Sequence, residues 1–409
     1  MIAHALLITA EWILLAAGGL FLYYLAALSV LALFVREQRD LHTPHRRRFA
    51  VIVPAHDEEV GIGATVRNLL EIDYPVALFD VIVIADNCTD RTADIARSLN
   101  ARVLVRDDPS GRGKGKALRW CFDGLMEPGQ GFDAFVVVDA DSMLSQNVLR
   151  VLNFYIEKGA QAIQIAGDVA RQPGAWNSEI LRLAFTLYNR VRPMGKKVVG
   201  GPVGLRGNGM CFTSETLRRV PWGAYSLTED IEYGLMLLLE GIRVHFAPEA
   251  MVTTLMPAKP THSRSQRARW EIGRFPVVRR YAPLLFKEAL RRRSIGLLDA
   301  FVDVVMPPFM NMLIAVALIA ALHAAALLAG VREAGFYLWC WASLFVAGLL
   351  HVAAGLAAVR ADASLCKSLA YVPRYAAWKL SLYAHLLTKG GPKDWIRTPR
   401  ERGQVRTPN

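Results

Sequence analysis

Three long stretches without a single charged side chain constrain this chain more than any other feature: residues 12–35, 309–329 and 336–359. Each exceeds the roughly 20 residues needed to cross the hydrocarbon core of a bilayer as a helix. Uncharged runs of that length are unusual in a water-soluble core, so three membrane spans are expected. The first run is not expected to be a cleavable leader, because it lacks a basic amino-terminal flank and is too long. Hydrophobic residues make up 53% of the 409, yet 21% are charged. That mixture fits a polar domain held between membrane segments.

Basic flanks orient the spans. Arg36, Arg39 and residues 45–48 (HRRR) follow the first, Arg291–Arg293 precede the second, and Arg360, Lys367 and Arg374 follow the third. The link between spans two and three holds only Arg332 and Glu333. The amino terminus is therefore expected outside, with the large middle section and the carboxyl tail in the cytosol. Cys88, Cys121, Cys211, Cys340 and Cys366 show no paired or zinc-type spacing, which suits a reducing compartment. The net charge of +12 is concentrated in residues 262–294, where arginines alternate with Trp270, Phe275, Tyr281 and Leu284. Next to a span, this pattern reads as a helix pair lying on anionic lipid. A nucleic-acid surface is set aside because the patch abuts the membrane. Residues 366–387 are also amphipathic and basic, and are expected on the membrane surface.

Between residues 47 and 249, Val/Ile-rich strands alternate with helical patterns: FAVIVPAH, FDVIVIAD, ARVLVRDD, FDAFVVVDAD and QAIQIAGDV are the strands. Near-continuous apolar strands are buried on both faces, so a largely parallel sheet with flanking helices is predicted. Ligands of such sheets bind at the carboxyl ends of the strands. Those ends are acidic here: His56-Asp57-Glu58-Glu59, Asp86-Asn87 and Asp139-Ala140-Asp141. One acidic end is ordinary turn chemistry. Three on one rim would repel each other unless a cation joined them, and carboxylates are the hard ligands Mg²⁺ or Mn²⁺ takes beside substrate phosphates. The glycine-rich SGRGKGKAL, residues 110–118, brings Arg112, Lys114 and Lys116 to a helix start, as a diphosphate site requires, although it is not a Walker A loop. Asp230 follows Thr228-Glu229 at a helix start, where acids also serve as simple caps. His323 and His351 lie inside spans, as functional groups or as hydrogen bonds between spans.

The segments VIVPAHDEE, IADNCTD, VVVDADS, LTEDIEYG and QRARW, in this order between spans, together resemble the membrane-embedded inverting family 2 glycosyltransferases of GT-A fold. That branch includes cellulose, hyaluronan and poly-N-acetylglucosamine synthases and ceramide glucosyltransferases. The resemblance covers residues 47–274. It implies an α/β GT-A-type, mostly parallel sheet with flanking helices, inserted between transmembrane helices and amphipathic interface helices. The implied organisation is a first span with its basic segment (1–46), a cytosolic catalytic domain (47–257), interface helices (258–304), two spans (305–360) and an amphipathic tail (361–409). Asp57 and Glu58 would line the nucleotide loop, and Asp86 would contact the base. Lys114 and Lys116 are expected on the diphosphate. Asp139 and Asp141 would be the DxD pair, Asp141 holding Mg²⁺ or Mn²⁺ and Asp139 nearer the sugar. Asp230 would be the general base, and Gln266, Arg269 and Trp270 match QxxRW at the diphosphate and acceptor entrance. The chain departs from many relatives at His56-Asp57, where they carry an aromatic residue and Asn, and its membrane part is smaller than in polymer-secreting synthases. The implied activity is inverting transfer from a nucleotide sugar, expected to be a UDP-sugar. A growing cell-surface or exopolysaccharide glycan is the first expected acceptor and a membrane lipid or polyprenyl carrier the second. An inactive scaffold of a secretion complex is a further reading. A bacterial inner-membrane location is implied, and polymer export from three spans would require a homo-oligomer or secretion partner.

Overall fold

The computed structural model describes residues 2–38, 40–41, 43–171, 176–254 and 260–389; the side chains of 2–5, 7, 177, 260–272, 382 and 384–389 lie outside that description. The three apolar runs form helices containing Ile8–Ala32, Phe309–Leu328 and Ala334–Ala358, each long and apolar enough to cross a membrane. Leu22, Leu25 and Ala26 of the first pack with Trp341, Leu344 and Ala347 of the third and Met312 and Val316 of the second. Polar groups between them are paired. Glu11 accepts a hydrogen bond from Trp341 Nε1 at 2.5 Å and lies 3.5 Å from His323 Nε2. Ser29 Oγ and His351 Nδ1 share a bond of 2.6 Å. Both histidines flagged in the sequence thus link span to span.

The middle of the chain builds an eight-stranded sheet: β1 (Phe49–Ala55), β2 (Phe79–Asp86), β3 (Arg102–Arg106), β4 (Ala134–Val137), β5 (Ser142–Leu144), β6 (Ala162–Val169), β7 (Met210–Thr213) and β8 (Val244–Thr254). The order is β3-β2-β1-β4-β7-β6-β8-β5. β1–β2, β1–β4, β2–β3 and β6–β8 pair in parallel, while β7 opposes β4 and β6 and β5 opposes β8. The sheet is therefore mixed, with six strands sharing one direction and ending on one rim. β5, β7 and β8 add to the five strands read from the sequence. β5 and β7 are too short to carry an apolar period of their own.

Alternation along the strands divides the core. Ala50, Ile52, Ile82, Ile84 and Val137 face one cluster; Phe49, Val51, Val53, Val81, Val83 and Val136 face the other. The first cluster also takes in Met194, Leu187, Ala32 and Leu356, so this face of the sheet is the one applied to the membrane helices. The intermediary is the helical stretch Trp176–Thr186, Leu187–Val191 and Arg192–Val198, whose middle segment is a π-turn. At Gly195 a β-carbon would lie 2.1 Å from the Leu28 carbonyl oxygen, so glycine is what lets this stretch touch the backbone of the first span.

The basic segment is one helix, Pro260–Arg292, with Pro276 and Pro283 inside it, followed by Ile295–Val305. The two pack through Val277, Tyr281, Leu285 and Ala289 against Leu297, Ala300 and Val304. Phe275, Phe286, Leu290 and Ile295 remain exposed among the arginines, as an interfacial helix pair requires. The last helix, Val372–Lys389, does more than lie on a surface: Tyr375, Trp378 and Lys379 wall the cavity described next.

Candidate active site

The rim where β1, β2 and β4 end collects the acids expected there, but it treats them differently. Asp57 sits at φ 53° and its Oδ1 accepts from the amides of Thr89 (2.6 Å) and Asp90 (3.3 Å). Its carboxylate braces the loop after β2. Glu58 donates its amide to Thr92 Oγ1 at 2.7 Å, and His56 Nδ1 bonds the Asp86 carbonyl at 2.7 Å, so these residues tie the first two loops together. Asp86 Oδ1 receives Arg106 Nη1 at 2.6 Å with both side chains buried, and Arg106 continues to Asp108 (2.7 Å) and the Gly111 carbonyl (2.9 Å). The repulsion foreseen among three acidic strand ends is thus relieved locally at two of them, one by amide donors and one by Arg106.

The third end is answered in part by Lys114. Asp139 and Asp141 open onto a cavity with Lys114, Lys116, Glu229 and Asp230. Lys114, at the start of the helix Lys114–Leu125, donates from Nζ to Asp139 Oδ1 at 2.5 Å and to the Gly207 carbonyl, and lies 3.9 Å from Glu229 Oε1. Lys116 is exposed on the same wall. Asn208 organises the pair of aspartates: its Oδ1 accepts from the Asp139 amide at 3.1 Å, and its Nδ2 donates to Ser142 Oγ at 2.7 Å. Ser142 Oγ in turn donates to Asp141 Oδ1 at 3.1 Å.

Asp230 opens the helix Glu229–Leu239. Thr228 does not cap that helix with its side chain; its hydroxyl donates instead to the Gly273 carbonyl at 3.3 Å, joining the site to the basic helix. Gly207 (φ 78°) faces Asp230, and a β-carbon there would come within 3.2 Å of Oδ2. Burial pushes Glu229 up to about 7, against the pull of Lys114 and with a further push from Asp230. Burial also raises Asp230, opposed by its helix amides, Lys114 and Arg206. Lys114 is held above its ordinary value: burial works against its charge, but Asp139, Glu229 and Asp230 outweigh it. Gln266, Arg269 and Trp270 fall in the helix Pro260–Arg292, and their side chains lie outside the described residues.

The cavity does not end at Asp230. Its volume of about 1790 Å³ extends past Arg206 and Tyr188 to Arg192, Lys196 and Asp303, and on to Leu313, Leu349 and Val352 of the membrane helices and Trp378 of the last helix. This exceeds the ~300–1,000 Å³ of a pocket for one small ligand. In the neck, Lys196, 2% exposed, donates to Asp299 Oδ2 (2.7 Å) and Asp303 Oδ2 (2.6 Å). Arg192 pairs with Asp303, and Tyr24 of the first span donates to Asp299 Oδ1 at 2.6 Å. Burial opposes the charge on Asp303, but Arg192 and Lys196 hold it well below the usual carboxylate range. Sequence reading gave no individual role to Arg106, Asn208 or Arg206 and did not foresee this network. A signal existed for part of it: Asp299 and Asp303 are one helical turn apart in the otherwise apolar IGLLDAFVDVV.

The donor set suits a hard divalent cation. Two carboxylates from one loop, held by Asn208 and Ser142 and open to the cavity, leave further positions for phosphate oxygens, which is how Mg²⁺ is usually bound. Among the described residues the only clustered triad is Asp57, Cys88 and Asp90. Asp57 there is already committed to loop amides, which makes it a structural brace.

A family model described as glycosyltransferase like family 2 matches residues 45–273. A probable glycosyltransferase, YdaM, of Bacillus subtilis is 24% identical over 261 residues, 61% of this chain and 60% of that protein. A beta-monoglucosyldiacylglycerol synthase of Synechocystis is 27% identical over 244 residues, 57% of this chain and 49% of the relative. A 4,4'-diaponeurosporenoate glycosyltransferase of Staphylococcus aureus is 34% identical over 124 residues, 29% of this chain and 32% of the relative. The match thus spans between a third and three fifths of the length of these relatives. Among solved structures, a mannosyltransferase of Pyrobaculum calidifontis in complex with GDP-Man and Mn²⁺ aligns with TM-score 0.49 and 20% identity, over 83% of this chain and 97% of that one.

Proposed function

This chain belongs to the glycosyltransferase-like family 2, and from that premise we propose that it transfers a sugar from a nucleotide sugar, with inversion, to the hydroxyl of a membrane lipid. The observation that carries the lipid acceptor is the single cavity running from Asp139, Asp141 and Asp230 to the apolar side chains among the spans. An acceptor with a long apolar tail fits that path. The names of the relatives, a glucosyldiacylglycerol synthase and a diaponeurosporenoate glycosyltransferase, are consistent with it. The order of acceptors expected from the sequence is reversed: the lipid comes first and the growing glycan second. The setting we propose is a bacterial cell membrane crossed three times, with the sheet on the cytosolic side, in keeping with the basic flanks.

The residues divide the work. Asp141, with Asp139, would hold Mg²⁺ or Mn²⁺, which when bound neutralises the charge growing on the leaving diphosphate. Lys116 and Arg112 add positive charge on the same wall. Lys114 orients Asp139 and holds the 204–209 loop through the Gly207 carbonyl. Asp230 accepts the proton of the attacking hydroxyl, a contribution of typically ~10²–10⁴-fold. Its elevated pKa suits that task, since a base closer to neutrality drives transfer harder. Attack from the Asp230 side, opposite the diphosphate, inverts the anomeric carbon.

The test is a release assay. Protein in lipid nanodiscs receives Mn²⁺ and individual UDP-sugars, with and without a membrane lipid extract, and the product is sized. Extract-dependent UDP release with one sugar added per lipid is the expected result. A long product ladder would replace the lipid by a polymer, and no release with any UDP-sugar would remove UDP-sugars as donors.

A further inference from the structure

The neck of the cavity holds more positive charge than its acids answer. Arg192 and Lys196 are matched by Asp299 and Asp303. Arg206, on the same wall, has no ion pair among the described residues within salt-bridge distance. Its Nε and Nη2 are buried and make no hydrogen bond. Those two N–H groups form one edge of the guanidinium, the fork that matches two oxygens of a carboxylate or phosphate. Leaving such donors buried and unpaired costs free energy, so their retention calls for a partner that arrives with a ligand.

The side chain is held in place. Its face lies 4.0 Å from the centroid of Tyr188, which also carries Arg192 on its ring at 5.6 Å. Tyr188 belongs to the π-turn Leu187–Val191, a distortion that recurs at functional sites because it re-aims side chains. The backbone of Arg206 is fixed by Gln164 Oε1, which accepts its amide hydrogen at 2.9 Å. The next residue, Gly207, abuts Asp230. The open fork therefore belongs to the residue next to Gly207, which abuts the base, and Arg206 acts electrostatically on both Asp230 and Asp303, between the base and the neck.

We propose that Arg206, stacked on Tyr188, binds an oxyanion in the head group of the lipid acceptor and so selects an anionic amphiphile, a phosphate or a carboxylate, whose hydroxyl then reaches Asp230. Arg206 is a specificity-determining residue in this scheme, and the inference rests on the lipid-acceptor reading above. A neutral head group such as that of a diacylglycerol would leave the fork unpaired and bind less well.

Two measurements test it. Native mass spectrometry identifies lipids retained by the wild type, Arg206→Gln, Arg206→Lys and Tyr188→Leu after release from nanodiscs of phosphatidylcholine doped in turn with phosphatidylglycerol, phosphatidic acid, oleic acid or dioleoylglycerol. In parallel, radiolabelled UDP-sugar with membrane extract reports which lipid takes the label. The expected result is retention and labelling of a lipid with an anionic head, with retention reduced about tenfold or more in Arg206→Gln, the loss of one charge-assisted hydrogen bond. Arg206→Lys should recover part of it, Tyr188→Leu should weaken it less, and the KM for the donor should be unchanged in all three. The head group that is retained separates phosphate from carboxylate. Label on a neutral lipid, with equal half-saturation by extract in wild type and a folded Arg206→Gln, overturns the inference and leaves the lipid-acceptor reading standing. Absence of label on any lipid in the wild type overturns both.

Discussion

The two halves of the cavity are electrostatic opposites built around one loop. On the sheet side of residues 204–209, Asp139, Asp141, Glu229 and Asp230 face Arg112, Lys114 and Lys116, so the acids are in excess. On the membrane side, Arg192, Lys196 and Arg206 outnumber Asp299 and Asp303. Successive loop residues serve each half: Asn208 orders the aspartate pair, Gly207 meets Lys114 and Asp230, and Arg206 turns toward Tyr188. Asp86 with Arg106 shows a charge compensated inside the protein. In the scheme proposed above, the charges left over in each half would receive a cation with its diphosphate on one side and an anionic head on the other.

The comparison can be broken most severely at the base. Asp230→Asn should lower transfer by about 10²–10⁴-fold while binding of UDP with Mn²⁺ is retained; activity equal to wild type in the extract assay would take Asp230 out of the chemistry. In the neck, Asp303→Asn strands Arg192 and leaves Lys196 with Asp299 alone, and breaking a buried pair from one side costs about 3–5 kcal/mol. Thermal unfolding in detergent should report a loss of that order, and an unchanged midpoint would mean water already reaches the network. On the rim, Asp141→Ala should weaken Mn²⁺-dependent UDP binding on the order of tenfold, ~1.4 kcal/mol, measured by calorimetry with and without the ion. Equal affinities would move the metal elsewhere.

Two smaller changes sharpen the boundary between the halves. Gly207→Ala places a side chain at positive φ, a cost of about 1–2 kcal/mol, and presses on Asp230 Oδ2. Its transfer rate should fall more than its donor binding. The last is a pH profile. Asp230 acts as a carboxylate, and burial raises its pKa, so activity is present above that value and lost as pH falls through it. Glu229 beside it is pushed up to about 7. Lys114 pulls both down, so Lys114→Met should move the acid limb to higher pH by about one unit, the low end of the effect of a neighbouring opposite charge. A limb that stays in place would show that Lys114 does not govern the ionisation of the base.

Much of this was written in short-range pattern. The spans are legible because a bilayer demands length and absence of charge, both local properties. Strands β1, β2, β4 and β6 were legible because burial on both faces leaves an apolar run, whereas β3, also read as a strand, is an edge strand with an exposed face. Asp139 and Asp141 stood out as acids at the end of an apolar strand, Lys114 as a cation in a glycine-rich helix start, and Asp230 through the resemblance of LTEDIEYG, and the structure brings these four to one cavity. What the sequence by itself could not decide is which charges answer which. Asp86 with Arg106, Asp139 with Asn208, Lys196 with Asp303 and Arg206 with Tyr188 join residues between 18 and 107 positions apart. Compensation is a through-space quantity that no local period encodes, so the tertiary structure alone separated spent charges from open ones. The continuity of the cavity is of the same kind, since its wall is assembled from the rim of the sheet, the helical stretch 176–198 and the spans, which only folding brings together.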